Sequence, residues 1–321
     1  MIAAVYRTPG ASSVLSVEEV DLPAVGPGEV RVRLRLAGVN PTDGKSRRRS
    51  GGAPFQIPCH DGVGEIVEVG RDVDPARVGQ RVWLWFAAAR GRRWGTAAEQ
   101  TVLPAAQAVP LPTSASDELG AGLGIPAMTA WHCLFADGPL DGRTVLVAGG
   151  AGAVGSAAVA LARHAGAQVI ATASVGKLAL ARTYGAHVAL DRASPDLADQ
   201  VRAVAPEGVA RIVEVALGAN LALDLAVLAP RSTVSTYADD ALTDVPVREL
   251  MVANARLAFV LVYGLSEGEL ASAVEGVSEA VQAGALSAQP SVVFPLEQVA
   301  QAQDLAESGA PGKVLLELPS G

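Results

Sequence analysis

Along the first third of the chain, apolar side chains recur at every second position. Residues 29–36 (EVRVRLRL) set Val30, Val32, Leu34 and Leu36 on one side and Glu29, Arg31, Arg33 and Arg35 on the other, which predicts a half-buried strand. Shorter runs of the same kind at 64–69 and 81–85 extend the pattern, and residues 1–118 read as strands of a small, partly closed barrel. From Ser116 the texture changes: Ala- and Leu-rich helical stretches alternate with short apolar runs that start at Thr144, Gln168, His187, Arg211, Thr233 and Ala258. A repeated strand-then-helix order predicts an α/β domain with a doubly wound parallel sheet over residues 119–265. An amphipathic helix at 267–283, a strand at 292–295, a helix at 296–307 and a closing strand at 313–318 follow, and residues 266–321 are expected to complete the first domain.

The stretch 144–162 (TVLVAGGAGAVGSAAVALA) carries the most chemistry. Val145, Leu146 and Val147 leave no room for alternation and suit a strand buried on both faces. Gly150, Gly152 and Gly155 follow at the spacing G-x-G-x-x-G, in which the first allows a tight turn, the second lets backbone approach a pyrophosphate, and the third lets helix pack on strand. A second strand at 168–172 completes a unit of about 30 residues, as a dinucleotide site requires. At its tip, where a carboxylate normally accepts from the ribose hydroxyls, stand Ala173 and Ser174, with Lys177 and Arg192 close in sequence. With no carboxylate there and two cations nearby, the phosphorylated cofactor NADPH is favoured, although Lys177 also reads as an ordinary solvated lysine at a helix start.

With 321 residues, half of them hydrophobic, the chain is long enough for two cores. Its net charge of −8 disfavours nucleic acid and anionic membrane as partners; Lys45, Arg47, Arg48 and Arg49 make one basic cluster, read either as a solvated loop or as a patch for an anionic, carrier-bound substrate. Cys59 and Cys133 are too few for a disulfide framework or a four-cysteine zinc site. No leader or spanning run is evident, so a cytoplasmic protein is expected.

The order of motifs resembles the medium-chain dehydrogenase/reductase superfamily, in particular its zinc-independent quinone oxidoreductase branch, which includes zeta-crystallin. The resemblance rests on residues 27–43 (PGEVRVRLRLAGVNPTD), 62–70 (GVGEIVEVG), 78–82 (VGQRV), 95–100 (GTAAEQ), 123–131 (LGIPAMTAW), the glycine turn and 308–318 (SGAPGKVLLEL). It implies a GroES-like β-barrel catalytic domain and a Rossmann-type nucleotide domain. It places the cofactor on residues 149–155, including Gly149, Ala153 and Val154, with Lys177 at the 2′-phosphate and Arg192 where relatives carry a tyrosine. Thr129, in the helix leading to the nucleotide domain, falls in a motif whose family counterpart faces the nicotinamide, and Ala216, Tyr237 and Tyr263 are candidate cofactor-side positions after later strand ends, the two tyrosines reading equally as packing aromatics. A homodimer through 257–263 (LAFVLVY) is expected by analogy.

Zinc-dependent relatives ligate a metal at three places that fall here on Asn40, His60 and about Ile125. An amide and an aliphatic chain cannot complete such a set, so zinc alcohol dehydrogenase chemistry is disfavoured. Metal-free reduction of a quinone or an α,β-unsaturated carbonyl by NADPH is expected, with a donor stabilising charge on the conjugated oxygen. The resemblance points to Asn40 and Asp43, the latter read equally as a turn cap. Lys45 and His60 are further candidates for proton donor or oxyanion partner, His60 by virtue of an ordinary titration near neutrality. The competing reading is a non-catalytic, crystallin-like or RNA-associated protein that keeps the NADPH fold.

Overall fold

The computed structural model describes residues 1–49, 54–239 and 244–319. Its strands are β1 (Ile2–Val5), β2 (Ser16–Glu19), β3 (Glu29–Val39), β4 (Asp61–Val69), β5 (Arg81–Leu84), β6 (Gln100–Pro104), β7 (Ala108–Pro110), β8 (Thr144–Val147), β9 (Gln168–Ala173), β10 (Val188–Asp191), β11 (Val209–Glu214), β12 (Leu228–Thr236), β13 (Arg256–Phe259), β14 (Ser291–Pro295) and β15 (Lys313–Glu317). The helices used below are α1 (Pro41–Arg49), α2 (Asp117–Gly120), α3 (Gly124–Phe135), α4 (Ala153–His164), α5 (Leu178–Thr183), α6 (Leu197–Val204), α7 (Leu217–Val227), α8 (Val247–Ala253), α9 (Glu267–Gln282) and α10 (Val299–Ser308). Two compact units result, one of residues 1–125 with 287–321 and one of residues 126–286.

In the first unit the sheet runs β14-β15-β3-β4-β5-β7, and β6 also pairs with β3. The alternation in β3 has its predicted consequence: Val30, Val32 and Leu34 are buried, while Arg31 and Arg33 reach Glu68 and Glu65 on β4 at 2.7 and 3.3 Å. Burying each such side chain stabilises the unit by roughly 1.5–3 kcal/mol, whereas the exposed ion pairs add little. The core beneath joins these residues to Ile57, Ile66, Leu84, Leu103, Val299, Val314 and Leu316. Strands β14 and β15 and helix α10 thus lie in this unit.

Six parallel strands in the order β10-β9-β8-β11-β12-β13 form the sheet of the second unit, the doubly wound arrangement whose direction of winding reverses beside its first strand. One boundary differs from expectation. Helix α9 belongs to the second unit, not to the completion of the first. Its buried face (Leu270, Ala273, Gly276, Val277) meets α3 and α4, and Gly276 leaves room for the Trp131 ring, which an added Cβ would approach to 2.0 Å. Amphipathicity alone does not specify which domain a helix covers.

Candidate active site

In the second unit, β8 feeds the glycine turn and α4. The left-handed residue of the turn is Gly149 (φ +68°), not Gly150, to which the sequence reading gave the tight turn. Gly150 is needed for another reason: a Cβ there would lie 2.6 Å from the Ala171 Cβ on β9. At Gly155 a Cβ would sit 2.2 Å from the Gly149 carbonyl oxygen, so helix and turn touch backbone to backbone. Gly152 caps α4, and above it an added Cβ would meet only the Gly149 oxygen at 3.3 Å. Gly149 and Gly150 are tied to β9 by hydrogen bonds from their amides to Thr172 Oγ1 (3.4 Å) and Thr172 O (2.9 Å). The turn is therefore held open at a helix start, where Ala153, Val154 and Gly155 are the first residues of α4 and first-turn amides lack intrahelical acceptors. These residues fit a pyrophosphate.

Ser174 follows β9 and begins the short turn that carries Lys177, whose amide donates to the Ser174 carbonyl at 2.8 Å. The Arg192 amide donates to Ala173 O at 2.9 Å, so Arg192 emerges beside the same strand tip. Ser174, Lys177 and Arg192 are thus brought together, and neither cation has an ion-pair partner among the described residues. Ala216 caps α7 just past β11 and donates its amide to Glu214, and the Tyr237 amide donates to Glu214 O at 3.3 Å. Tyr237 follows β12, Tyr263 lies in the turn after β13, and Thr129 is buried in α3. Burial pushes the Tyr237 phenol up. Missed in the sequence is a buried acid pair: Asp224 on α7 is fully enclosed beside Glu214, and burial and that charge raise it to about 8.

The first unit gathers a different set. Asn40, Asp43, His60 and Asp61 are all buried, and so is Lys313. The Asn40 amide nitrogen of the backbone donates to Asp43 Oδ2 at 2.7 Å, its Nδ2 donates to Asp61 Oδ2 at 2.7 Å, and its Oδ1 accepts from Lys313 Nζ at 2.7 Å. Lys313 Nζ also donates to Val39 O at 3.2 Å, and Asp61 Oδ1 accepts from the Ile125 amide at 2.9 Å. His60 Nε2 lies 3.8 Å from Asp43 Oδ1. Cys59, in a left-handed conformation (φ 71°), is buried with Asp43, and burial pushes its thiol well up. Desolvation dominates the titrations. It raises Asp43 to about 7, with the Asp61 charge adding and the Asn40 hydrogen bond opposing, and Asp61 to about 6 against the pull of Lys313. His60 is depressed to about 4, so its imidazole is neutral at physiological pH. This corrects its reading as a titrating donor near neutrality, because a buried ring resists charging.

Of the predicted catalytic residues, the structure brings together Asn40, Asp43 and His60, while Lys45 stands exposed on α1. The basic cluster divides. The Arg47 side chain is buried, with Nε on Gln303 Oε1 (2.8 Å) and Nη1 on Gly10 O (2.7 Å), and Arg48 pairs with Glu307 at 2.5 Å. Arg47 and Arg48 therefore brace α1 against α10 rather than form a patch for an anionic acceptor. Sequence reasoning gives Lys313 no role and reads Asp61 only as a possible adventitious metal ligand with Cys59 and His60; the signal for Lys313 is a lysine opening an apolar run, KVLLE.

Family models described as alcohol dehydrogenase GroES-like domain and zinc-binding dehydrogenase match residues 26–113 and 153–279. A synaptic vesicle membrane protein VAT-1 homolog of Rattus norvegicus is 32% identical over 92% of this chain and 78% of its own. A quinone oxidoreductase of Sus scrofa is 28% identical, covering 98% and 96%. Among solved structures, an NAD-dependent alcohol dehydrogenase aligns with TM-score 0.88 at 26% identity (99% and 100% covered), and a mycobacterial protein complexed with NADPH with TM-score 0.83 at 25% (99% and 100%). The chain belongs to the medium-chain dehydrogenase/reductase superfamily. It is an oxidoreductase of the nicotinamide-dependent kind, with a GroES-like unit and a Rossmann-type unit. No helix among the described residues is long and apolar enough to cross a membrane.

The second family model carries zinc in its description, which puts the donor set at issue as a metal site. It does not fit. The only atom of Asn40 able to ligate a cation, Oδ1, already faces the Lys313 ammonium at 2.7 Å, and Ile125 offers its amide to Asp61. Among the described residues, no group of three or more His, Cys, Asp or Glu side chains is arranged to hold a metal ion.

Proposed function

We propose that this protein is an NADPH-dependent reductase that works without a metal on a quinone or an α,β-unsaturated carbonyl. The observation that carries the reading is the ammonium at Asn40 Oδ1, which leaves no Lewis acid to acidify an alcohol and directs the chemistry to acceptors that are already electron-poor. NADPH, when bound, supplies a hydride to the acceptor carbon. The turn at Gly149–Gly155 holds its pyrophosphate, and Ser174, Lys177 and Arg192 receive the 2′-phosphate; the supporting arrangement is two unpaired cations with no carboxylate on the β9 tip itself, the neighbouring Asp191, opposite Ala173, accepting from the Ala193 amide at 3.1 Å. Asn40 Nδ2 gives one hydrogen to Asp61 and keeps a second for the oxygen on which charge develops. Asp43, whose carboxyl titrates near neutrality, holds at Oδ1 the proton that completes the reduction. His60, neutral, stands 3.8 Å from that oxygen.

NADPH oxidation by a panel of 1,4-quinones and 2-enones, with NADH and a chelator as parallel arms, tests this directly. Turnover that prefers NADPH and survives the chelator is expected. Dependence on added zinc, or no oxidation with any acceptor, overturns it. A homodimer accompanies the proposal: β13 is an edge strand, and Phe259 at its end and Leu261 just past it are 70% and 68% exposed, a bare apolar edge that pairing with a second copy would cover. Light scattering showing a monomer would refute the pairing.

A further inference from the structure

Lys313 is 5% exposed and sits at the start of β15, where lysine is among the last residues to be expected. Its position follows from the sheet. β15 runs antiparallel to β3 with Val314 opposite Val39, and the same register carried one residue further sets Lys313 opposite Asn40. The side chain stays inside because three groups receive it: Val39 O, Asn40 Oδ1, and the charge of Asp61, the foremost of those that favour the ammonium against the desolvation that opposes it.

The consequence for Asn40 is a matter of donor and acceptor types. An ammonium only donates, so the atom of the amide facing Nζ must be the carbonyl oxygen, and the NH2 group is thereby turned to Asp61 Oδ2. One of its two hydrogens is used there. We propose that Lys313 is a positioning residue: its ammonium takes the place beside Asn40 Oδ1 that a metal ion would need, and by fixing the amide it presents the second Nδ2 hydrogen to the substrate oxygen. The inference rests on the metal-free reading above and adds the residue that makes it work. Without the charge, the amide is free to turn, and a reversed amide would present its oxygen, a repulsive group, to a developing oxyanion.

The test compares the full-length protein with K313M, K313R, N40A and the K313M/N40A double variant, each first shown by circular dichroism to be folded. In the quinone assay, K313M and N40A are each expected to lose at least about 10-fold in kcat, with the Kd for NADPH within about twofold of the parent. The double variant is expected to lose no more than the worse single one, since Lys313 acts through Asn40. K313R, which keeps a donor and a charge, is expected to recover most of the rate. A K313M protein at full kcat, or losses that multiply in the double variant, overturns the proposal. A second readout does not depend on turnover: by NMR the Asn40 side-chain NH2 protons should exchange with solvent at least about 10-fold faster in K313M than in the parent. Equal exchange overturns the positioning role whatever the activity. If no acceptor is reduced by the parent while exchange still differs, the functional reading fails and the positioning role stands. Should K313M not fold, K313Q, which keeps a donor but no charge, replaces it with the same expected direction.

Discussion

Replacing Asp43 by asparagine isolates the most strongly perturbed acid of the buried cluster. Its carboxyl rises from an ordinary 3.8 to about 7, chiefly because burial penalises the charged form. In the unfolded chain the group ionises near 3.8, so between roughly pH 4 and 7 the native state holds a proton that the unfolded state has released. A raised carboxyl of this kind adds stability that is full at low pH and disappears as pH climbs through 7. The rise is roughly three pH units at about 1.36 kcal/mol each, so at pH 8, where the group is ionised in both states, the native state has lost about 4 kcal/mol of the stability this group contributes below pH 4. D43N mimics the protonated form and cannot ionise. Urea unfolding followed at pH 5, 6, 7, 8 and 9 should therefore show the parent losing stability relative to D43N by about 2–4 kcal/mol across that range, with most of the change below pH 7.5. His60 works in the opposite direction: depressed to about 4, it gains stability as pH rises from 4 to 6.5, but it is present in both proteins and cancels on subtraction. Parallel stability curves, or a parent that gains on D43N with rising pH, would refute the buried-charge argument.

Three other outcomes are expected. Removing both cations at the β9 tip (K177A/R192A) should lower kcat/KM for NADPH by about 10- to 100-fold and leave NADH within a few-fold, measured under matched conditions; an unchanged ratio would remove both residues from cofactor selection. G155A forces a methyl group to within 2.2 Å of Gly149 O and should cost about 1–3 kcal/mol in stability while weakening NADPH binding at least about 10-fold by fluorescence titration; unaltered binding would dissociate the turn from the cofactor. R47L deletes the bonds to Gln303 and Gly10 O and should lower stability by about 2–4 kcal/mol without changing the KM for a neutral quinone, so a rise in that KM would restore a substrate role to the basic cluster.

What was legible in the sequence followed from local periodicity. The alternation of 29–36 became β3 with its apolar side inward, and the apolar runs opening near Thr144, Gln168 and Arg211 became neighbouring parallel strands. The glycines at 150, 152 and 155 marked the turn, yet the left-handed residue is Gly149, because spacing shows where small residues stand and not which dihedral each adopts. Helix α9 was assigned to the wrong unit for want of any local sign of the Trp131 ring that its Gly276 receives. In the candidate site, Asn40, Asp43 and His60 announced themselves through motifs. Lys313 did not, since its partner Asn40 is 273 positions away and only sheet register brings the two together. The neutrality of His60 was equally hidden, because side-chain desolvation depends on how the strands close over it.

The place of β15, between β14 and β3, carries a consequence for biogenesis. As the polypeptide leaves the ribosome, residues 36–39 of β3 stay without a neighbour on that side until Lys313–Glu317 emerge, tens of seconds later at about 5–20 residues per second. The central nucleotide unit, contiguous in the chain, is complete at residue 286, a few seconds earlier at the same rate. Asn40 and Asp61 wait through the whole interval for the ammonium that faces them, so the buried cluster takes its final form only when β15 arrives.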